Sequence, residues 1–263
     1  MVAKGSIVRV DYDAWADGEL FDTTSEAAAK KAGMHREGMI YGPVPLVAGV
    51  GRVVAGFDKA LLAAKVGERA SVEFGPEEGF GERDPAKIQT FKPSEFEKRD
   101  VHPHVGMRVR MEDRAGTVVT VTPGRVRVDF NPPMAGKKVK YEFTITEEVA
   151  APEEKAKAIV EAIYGMGRSA GFLLNARGTE LEATLPDGCK YDGRWHATKF
   201  LIVSDLRQFG GFTKIRFVEE YLPPEAVTQE TTTRAAEPGA PVPKSATPSG
   251  MPPAKPGHEG HKH

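Results

Sequence analysis

The chain has 263 residues, with 36 Lys and Arg against 37 Asp and Glu and a formal net charge of −1. That balance argues against a dedicated duplex-binding protein, and a hydrophobic content of 40% excludes a wholly disordered one. A single cysteine, Cys189, excludes an internal disulfide and a multi-cysteine zinc site. In chain order, Ile7 to Trp15 alternates as a half-buried strand does, with Val8, Val10, Tyr12 and Ala14 on one side and Arg9, Asp11 and Asp13 on the other. Asp17-Gly18 is a tight-turn pair, and Glu19 to Asp22 resumes the extended pattern. Residues 25–40 are irregular apart from a short helical run at Ala27 to Lys31. Pro43 to Val47 is apolar but proline-broken, which suits an edge strand or a loop. Phe57, Ala60, Leu61 and Ala64 recur at helical spacing, Gly67 stops that helix, and Ala70, Val72 and Phe74 alternate again.

Residues 82–131 read as a small antiparallel β module. Its runs are Met107 to Met111, Thr117 to Val121 and Val126 to Phe130, separated by turns at Arg114-Ala115-Gly116 and Pro123-Gly124. After it, Val139, Tyr141, Phe143 and Ile145 form the inward face of a last strong strand. Pro152 opens a helix with Ala156, Ile159, Val160 and Ile163 on one face, ended by Gly165. A hairpin follows around Arg177-Gly178. Then comes a helix from about Asp192 to Phe209, striped by Trp195, Ile202, Leu206 and Phe209, and a closing strand from Thr213 to Glu219. This last unit reads α-β-β-α-β. Nine of the 20 prolines lie in residues 223–263, which contain no Phe, Tyr or Trp; that stretch is expected to be a disordered Pro-rich tail. Nothing at the start reads as a secretory signal and no run reaches the ~18 apolar residues of a spanning helix. A cytoplasmic protein with no membrane partner is expected.

Catalytic signatures are absent. There is no phosphate-cradling G-x-x-x-x-G-K-[ST], Gly49-Val50-Gly51 is not a dinucleotide fingerprint, and neither a G-x-S-x-G elbow nor H-E-x-x-H occurs. Cys189 reads as a small buried residue. No cofactor is implied. No nucleophile stands out either, so an enzyme on this chain is expected to work by shape and environment.

One family does carry these features. Tyr12, Asp17-Gly18 and Phe21-Asp22-Thr23-Thr24 resemble the opening of FKBP-type peptidyl-prolyl isomerases. Val53-Val54-Ala55-Gly56-Phe57-Asp58-Lys59-Ala60-Leu61, with Lys65-Val66-Gly67-Glu68-Arg69-Ala70, is similar to that family's central helix and following strand. Pro76-Glu77-Glu78-Gly79-Phe80-Gly81 resembles its P-x-x-A-Y-G segment, and Asn131-Pro132-Pro133-Met134-Ala135-Gly136-Lys137 with Tyr141-Glu142-Phe143 resembles the end of the SlyD-like branch. The resemblance covers residues 1–149. It implies an α+β fold: an antiparallel sheet wrapped on a short helix and split into residues 1–83 and 131–149, an all-β insert-in-flap module at 84–130, an α-β-β-α-β unit at 152–222 like that of long archaeal members, and the tail at 223–263.

The activity this implies is cis/trans isomerisation of X-Pro bonds. The amide barrier is about 18–20 kcal/mol because of partial double-bond character, and twisting the bond loses its charge separation. An apolar pocket that sheds water from the amide favours the twisted form without a covalent step. Carried over by position, Phe57 floors the pocket; Tyr12, Phe80, Tyr141, Phe21, Leu46, Val53 and Val54 wall it; the Val54 N–H donates to the peptide; and Asp22 is the polar group. Small members often have Trp at the floor, where this chain has Phe57. The usual Tyr of A-Y-G is Phe80 here, which removes a hydroxyl donor and implies weaker macrolide binding with activity retained. In the insert, the resemblance implies binding of unfolded chains, with Val101, Met107, Met111 and Phe130 as contacts. Arg108, Arg110, Arg125 and Arg127 read as solvated strand faces rather than a nucleic-acid surface. The expected partners are proline-containing peptides and unfolded proteins, with a homodimer through the C-terminal unit. His258, His261 and His263 are weak candidates for a metal. The rival reading is a non-catalytic chaperone or assembly module on the same fold.

Overall fold

The computed structural model describes residues 1–221; the expectations for the tail and its three histidines lie outside them. The first strand, β1 (Ile7–Ala16), buries Val8, Val10 and Ala14 as its alternation demands. Asp17 and Gly18 both take positive φ, 50° and 87°, the backbone a two-residue hairpin turn needs. The chain then returns antiparallel as β2 (Glu19–Thr23). The short run at Ala27 is α1 (Glu26–Lys31), whose N-cap Ser25 accepts from the Ala28 N–H at 3.3 Å. Pro45 sits in β3 (Val44–Val47), which pairs only with β1. A missing N–H costs nothing on such an edge.

Helix α2 (Ala55–Ala63) lays Phe57 and Leu61, four residues apart, into the core. Gly56 faces Phe74: a Cβ there would lie 2.3 Å from that ring, so only glycine lets the helix seat. With β4 (Arg69–Phe74) and the last strand of this sheet, β9 (Val139–Glu148), the order runs β2-β1-β9-β4, with β3 beside β1. Its core is Val8, Val10, Ala14, Phe57, Leu61, Phe74, Val139, Tyr141, Phe143 and Ile145.

Between β4 and β9 the insert forms a second antiparallel sheet. It holds β5 (Ile88–Phe91), β6 (Arg108–Met111), β7 (Arg114–Thr122) and β8 (Arg125–Asp129) in the order β5-β8-β7-β6. The turn expected at Arg114-Ala115-Gly116 falls instead at Glu112 and Asp113, both with positive φ, and Arg114 to Gly116 pair with β6 as the start of β7. The module also carries a one-turn helix, α3 (Pro93–Glu97), and β5, neither of which the alternation discloses. Strand β5 has four residues and α3 buries one side chain, Phe96, so neither has room to show a period. The two crossings into the insert are fastened together. Asn131 Oδ1 accepts from the Asp84 N–H and Asn131 Nδ2 donates to the Asp84 carbonyl, both at 2.9 Å, and Arg83 pairs with Asp129.

The C-terminal unit consists of α4 (Pro152–Tyr164), β10 (Leu173–Arg177), β11 (Glu180–Thr184), α5 (Asp187–Lys190), α6 (Gly193–Gln208) and β12 (Lys214–Val218). Helix α4 buries Ala156, Ile159 and Val160 as its spacing predicts and ends at Gly165 with φ 108°. The hairpin β10–β11 is antiparallel, but β11 and β12 run parallel, so the connection between them must cross over, and α6 does this. Trp195, Ile202 and Leu206 are fully buried, whereas Phe209 caps the helix and is only half-buried. Residues Met1–Glu220 form one compact unit. The C-terminal core is continuous with the first sheet, because Ile7, Val47 and Val149 pack into it. Arg9 on β1 and Glu161 on α4 add an ion pair at 2.8 Å. Among the described residues no helix is long and apolar enough to cross a membrane.

Candidate active site

Helix α2 and the loop before it build the floor and one wall. Asp58, in the first turn of α2 and nearly buried, accepts from the Gly49 N–H at 2.7 Å and the Gly51 N–H at 2.8 Å. Both glycines have positive φ, which lets the loop curl tightly enough to aim two amides at one carboxylate. A negative group near a helix N-terminus is also favoured by the helix dipole. The loop therefore presents Val53 and Val54 at a set place beside Phe57. The Val54 N–H has no acceptor among the described residues, while its carbonyl accepts from the Asp58 N–H at 3.0 Å.

The sheet supplies the rest. Tyr12 on β1 and Tyr141 on β9 point to the same face as Phe57. Phe57 stacks on Tyr141 with ring centroids 4.1 Å apart and planes 9° apart, and Tyr12 meets Phe57 edge-on at 5.8 Å. Phe21 meets Phe80 at 5.8 Å in a T. Asp22 on β2 is held by two donors: the Tyr12 hydroxyl gives to Oδ2 at 2.8 Å, and the Thr23 N–H gives to Oδ1 at 3.0 Å. Burial first, and the Asp22 charge second, push the Tyr12 hydroxyl far above its ordinary range; the same two causes raise Tyr141 to about 12. Both hydroxyls therefore stay protonated at neutral pH, and Tyr12 remains a donor to Asp22.

Tyr12, Phe21, Asp22, Leu46, Val53, Val54, Phe57, Phe80 and Tyr141, the nine residues expected at the site, line one cavity of about 530 Å³. A tenth residue, Arg52, was not expected. Its guanidinium lines the cavity and forms a forked pair with Asp205 of α6, a residue 1% exposed. Adjacency to Val53 was its only signal in the sequence, since the partner lies 153 positions away.

The expected client contacts fare differently. Val101, Met107 and Phe130 are half-buried at the edge of the insert core. Met111 is 2% exposed and packs inside that core, its sulfur near the Arg99 guanidinium. On β6 it shares a face with Val109, and that face turns inward, so Met111 is not available at the surface. Arg108, Arg110, Arg125 and Arg127 are all exposed. Cys189 is free and buried. Among the described residues no group of three His, Cys, Asp or Glu side chains could hold a metal ion.

Fold and cavity together define an α+β protein with a preformed apolar pocket, floored by aromatic rings and carrying one carboxylate and one guanidinium. A family model described as FKBP-type peptidyl-prolyl cis-trans isomerase matches residues 1–97. Models described as FKBP26, IF domain and FKBP26_C-terminal match residues 93–134 and 152–222. The short-type peptidyl-prolyl cis-trans isomerase of Methanocaldococcus jannaschii is 32% identical over 154 residues, which cover 59% of this chain and 98% of the relative. The FKBP-type isomerase SlyD of Treponema pallidum is 26% identical over 177 residues, covering 65% and 92%. A probable FKBP-type 16 kDa isomerase of Pseudomonas fluorescens is 30% identical over 110 residues, covering 40% and 72%. The chain belongs to the FKBP-type peptidyl-prolyl cis-trans isomerase family.

Proposed function

We propose that the cavity over Phe57 is where this isomerase twists its substrate. The proline ring lies on Phe57 between Tyr12, Tyr141 and Val53. The Val54 N–H donates to the peptide backbone, and Phe21, Leu46 and Phe80 close the sides. Catalysis follows from environment. A ground-state amide is strongly dipolar and loses much of that dipole when twisted, so an apolar surround that has displaced water penalises the planar form more than the twisted one. Asp22, held in place by Tyr12 and Thr23, keeps one fixed charge beside the carbonyl as it rotates. The observation that carries this reading is the convergence of nine residues from five elements and two loops on one cavity, with an amide at its rim that has no acceptor among the described residues. The test is cis/trans isomerisation of a proline tetrapeptide by wild type, Phe57→Ala and Asp22→Ala. Both variants should lose at least about tenfold in kcat/KM, and a Phe57→Ala protein that stays folded at the wild-type rate would refute the assignment.

The insert, 84–130, is on this reading a docking module for unfolded chains, set beside the split isomerase domain of residues 1–83 and 131–149. Apolar surface supports it: Val101, Met107 and Phe130 are half-buried, and Val105 is 64% exposed. The C-terminal unit, 152–222, exposes Leu173, Tyr191 and Phe200, which supports its use in pairing two copies of the chain.

A further inference from the structure

We infer that Arg52 sets the charge preference for residues flanking the substrate proline, and that Asp205 of the C-terminal unit is the positioning residue that holds Arg52 and cancels its charge. The inference rests on the pocket assigned above. Three observations lead to it. Arg52 lines the same cavity as Phe57 and Asp22 and immediately precedes Val53 and Val54, which wall it. Its guanidinium makes both hydrogen bonds of a fork to the Asp205 carboxylate, and lies 5.5 Å from the centre of the Phe209 ring. The Asp205 side chain is 2% exposed while that of Arg52 is 35% exposed, so the carboxylate is sealed inside the C-terminal unit and the guanidinium alone faces the peptide.

A planar fork on a carboxylate fixes both position and orientation. The Phe209 ring adds a cation–π contact to the guanidinium that favours the same placement. Residues beside proline must cross this rim on their way into the cavity. With the pair intact the rim presents a compensated cation, and Asp22 contributes the same background charge in every variant. Removing either partner uncovers the other charge. Asp205→Asn keeps an acceptor for Arg52 but leaves its positive charge unbalanced; Arg52→Gln leaves the negative charge of Asp205 unbalanced beneath the rim.

The measurement is the ratio of kcat/KM for two tetrapeptides that differ only before proline, Glu-Pro against Lys-Pro, at low ionic strength and with full-length protein. Relative to wild type, Asp205→Asn should raise the Glu/Lys ratio by about two- to fivefold, the scale of one partly solvated ion pair. Arg52→Gln should lower it, and Arg52→Gln/Asp205→Asn should restore it. Added salt should shrink both single-variant shifts. A ratio that does not move in a folded Asp205→Asn or Arg52→Gln protein overturns the proposal, as does a shift that survives in the double variant. Because the two single variants shift the ratio in opposite directions, the loss of one to misfolding still leaves a decisive test. A failure here with Phe57→Ala still inactive refutes the role of Arg52 alone. A Phe57→Ala protein at the wild-type rate refutes the pocket itself.

Discussion

Asp22 would be costly to leave half-buried without partners, and the Tyr12 hydroxyl and the Thr23 amide supply them. Tyr12→Phe removes one donor and should lower kcat/KM on a tetrapeptide by about fivefold, the worth of one hydrogen bond of about 1 kcal/mol. Tyr141 gives the pH dependence. Its hydroxyl is raised to about 12 from an unfolded value of about 10, so the neutral form is favoured by folding. That contribution is fully present below about pH 10 and is lost as pH rises through about 12. Chemical denaturation between these limits should show falling stability, and Tyr141→Phe should flatten the fall. Phe80 lines the cavity with a ring that carries no hydroxyl, where the resemblance implies a tyrosine and a macrolide-binding donor. Phe80→Tyr should tighten macrolide binding by about fivefold in a direct titration; unchanged affinity would remove the hydroxyl from the account.

The insert hinge is an element of its own, two crossings joined by one asparagine. Burial alone would raise the Asp129 carboxyl, but the Asn131 amides and the Arg83 guanidinium outweigh it and hold the group below the usual carboxylate range. Asp129 therefore contributes stability above its unfolded value of about 4, and this is lost as pH falls through the depressed folded value. Asn131→Ala should cost about 1–2 kcal/mol in stability and slow catalysis on a denatured protein more than on a tetrapeptide. Deleting 84–130 should sharpen that split, and equal losses on both substrates would end the division of labour proposed between pocket and insert.

At the scale of the whole chain, Ile7, Val47 and Val149 belong to the same core as Trp195, Ile159 and Leu206. The C-terminal unit is thus packed against the back of β1 and β3 and, through Arg52, reaches the pocket. If Leu173, Tyr191 and Phe200 mediate pairing, Phe200→Glu should convert a dimer to a monomer in analytical ultracentrifugation. Its cost to monomer stability should be small, because the side chain is already 85% exposed. A mass unchanged between wild type and variant would remove Phe200 from any interface.

How much of this is legible in the sequence follows from range. Alternation along β1 and β9 and the spacing of Phe57 and Leu61 are local properties, readable because burying one face of a strand or helix imposes a period on adjacent residues. The nine pocket residues, which line one cavity, are legible through the family resemblance that the ordered motifs carry; periodicity alone reads them as an ordinary core. Strand β5 and helix α3 are not, being too short to show a period. The burial of Met111 is hidden as well: alternation groups it with Val109 but does not say which face of β6 turns inward. Arg52 and Asp205 lie furthest out of reach. Neither carries a local pattern, and their pairing exists only because α6 folds back over the loop before α2 and seals a carboxylate against it. Electrostatic pairing depends on proximity in space and on exclusion of water, and across 153 residues only packing supplies both.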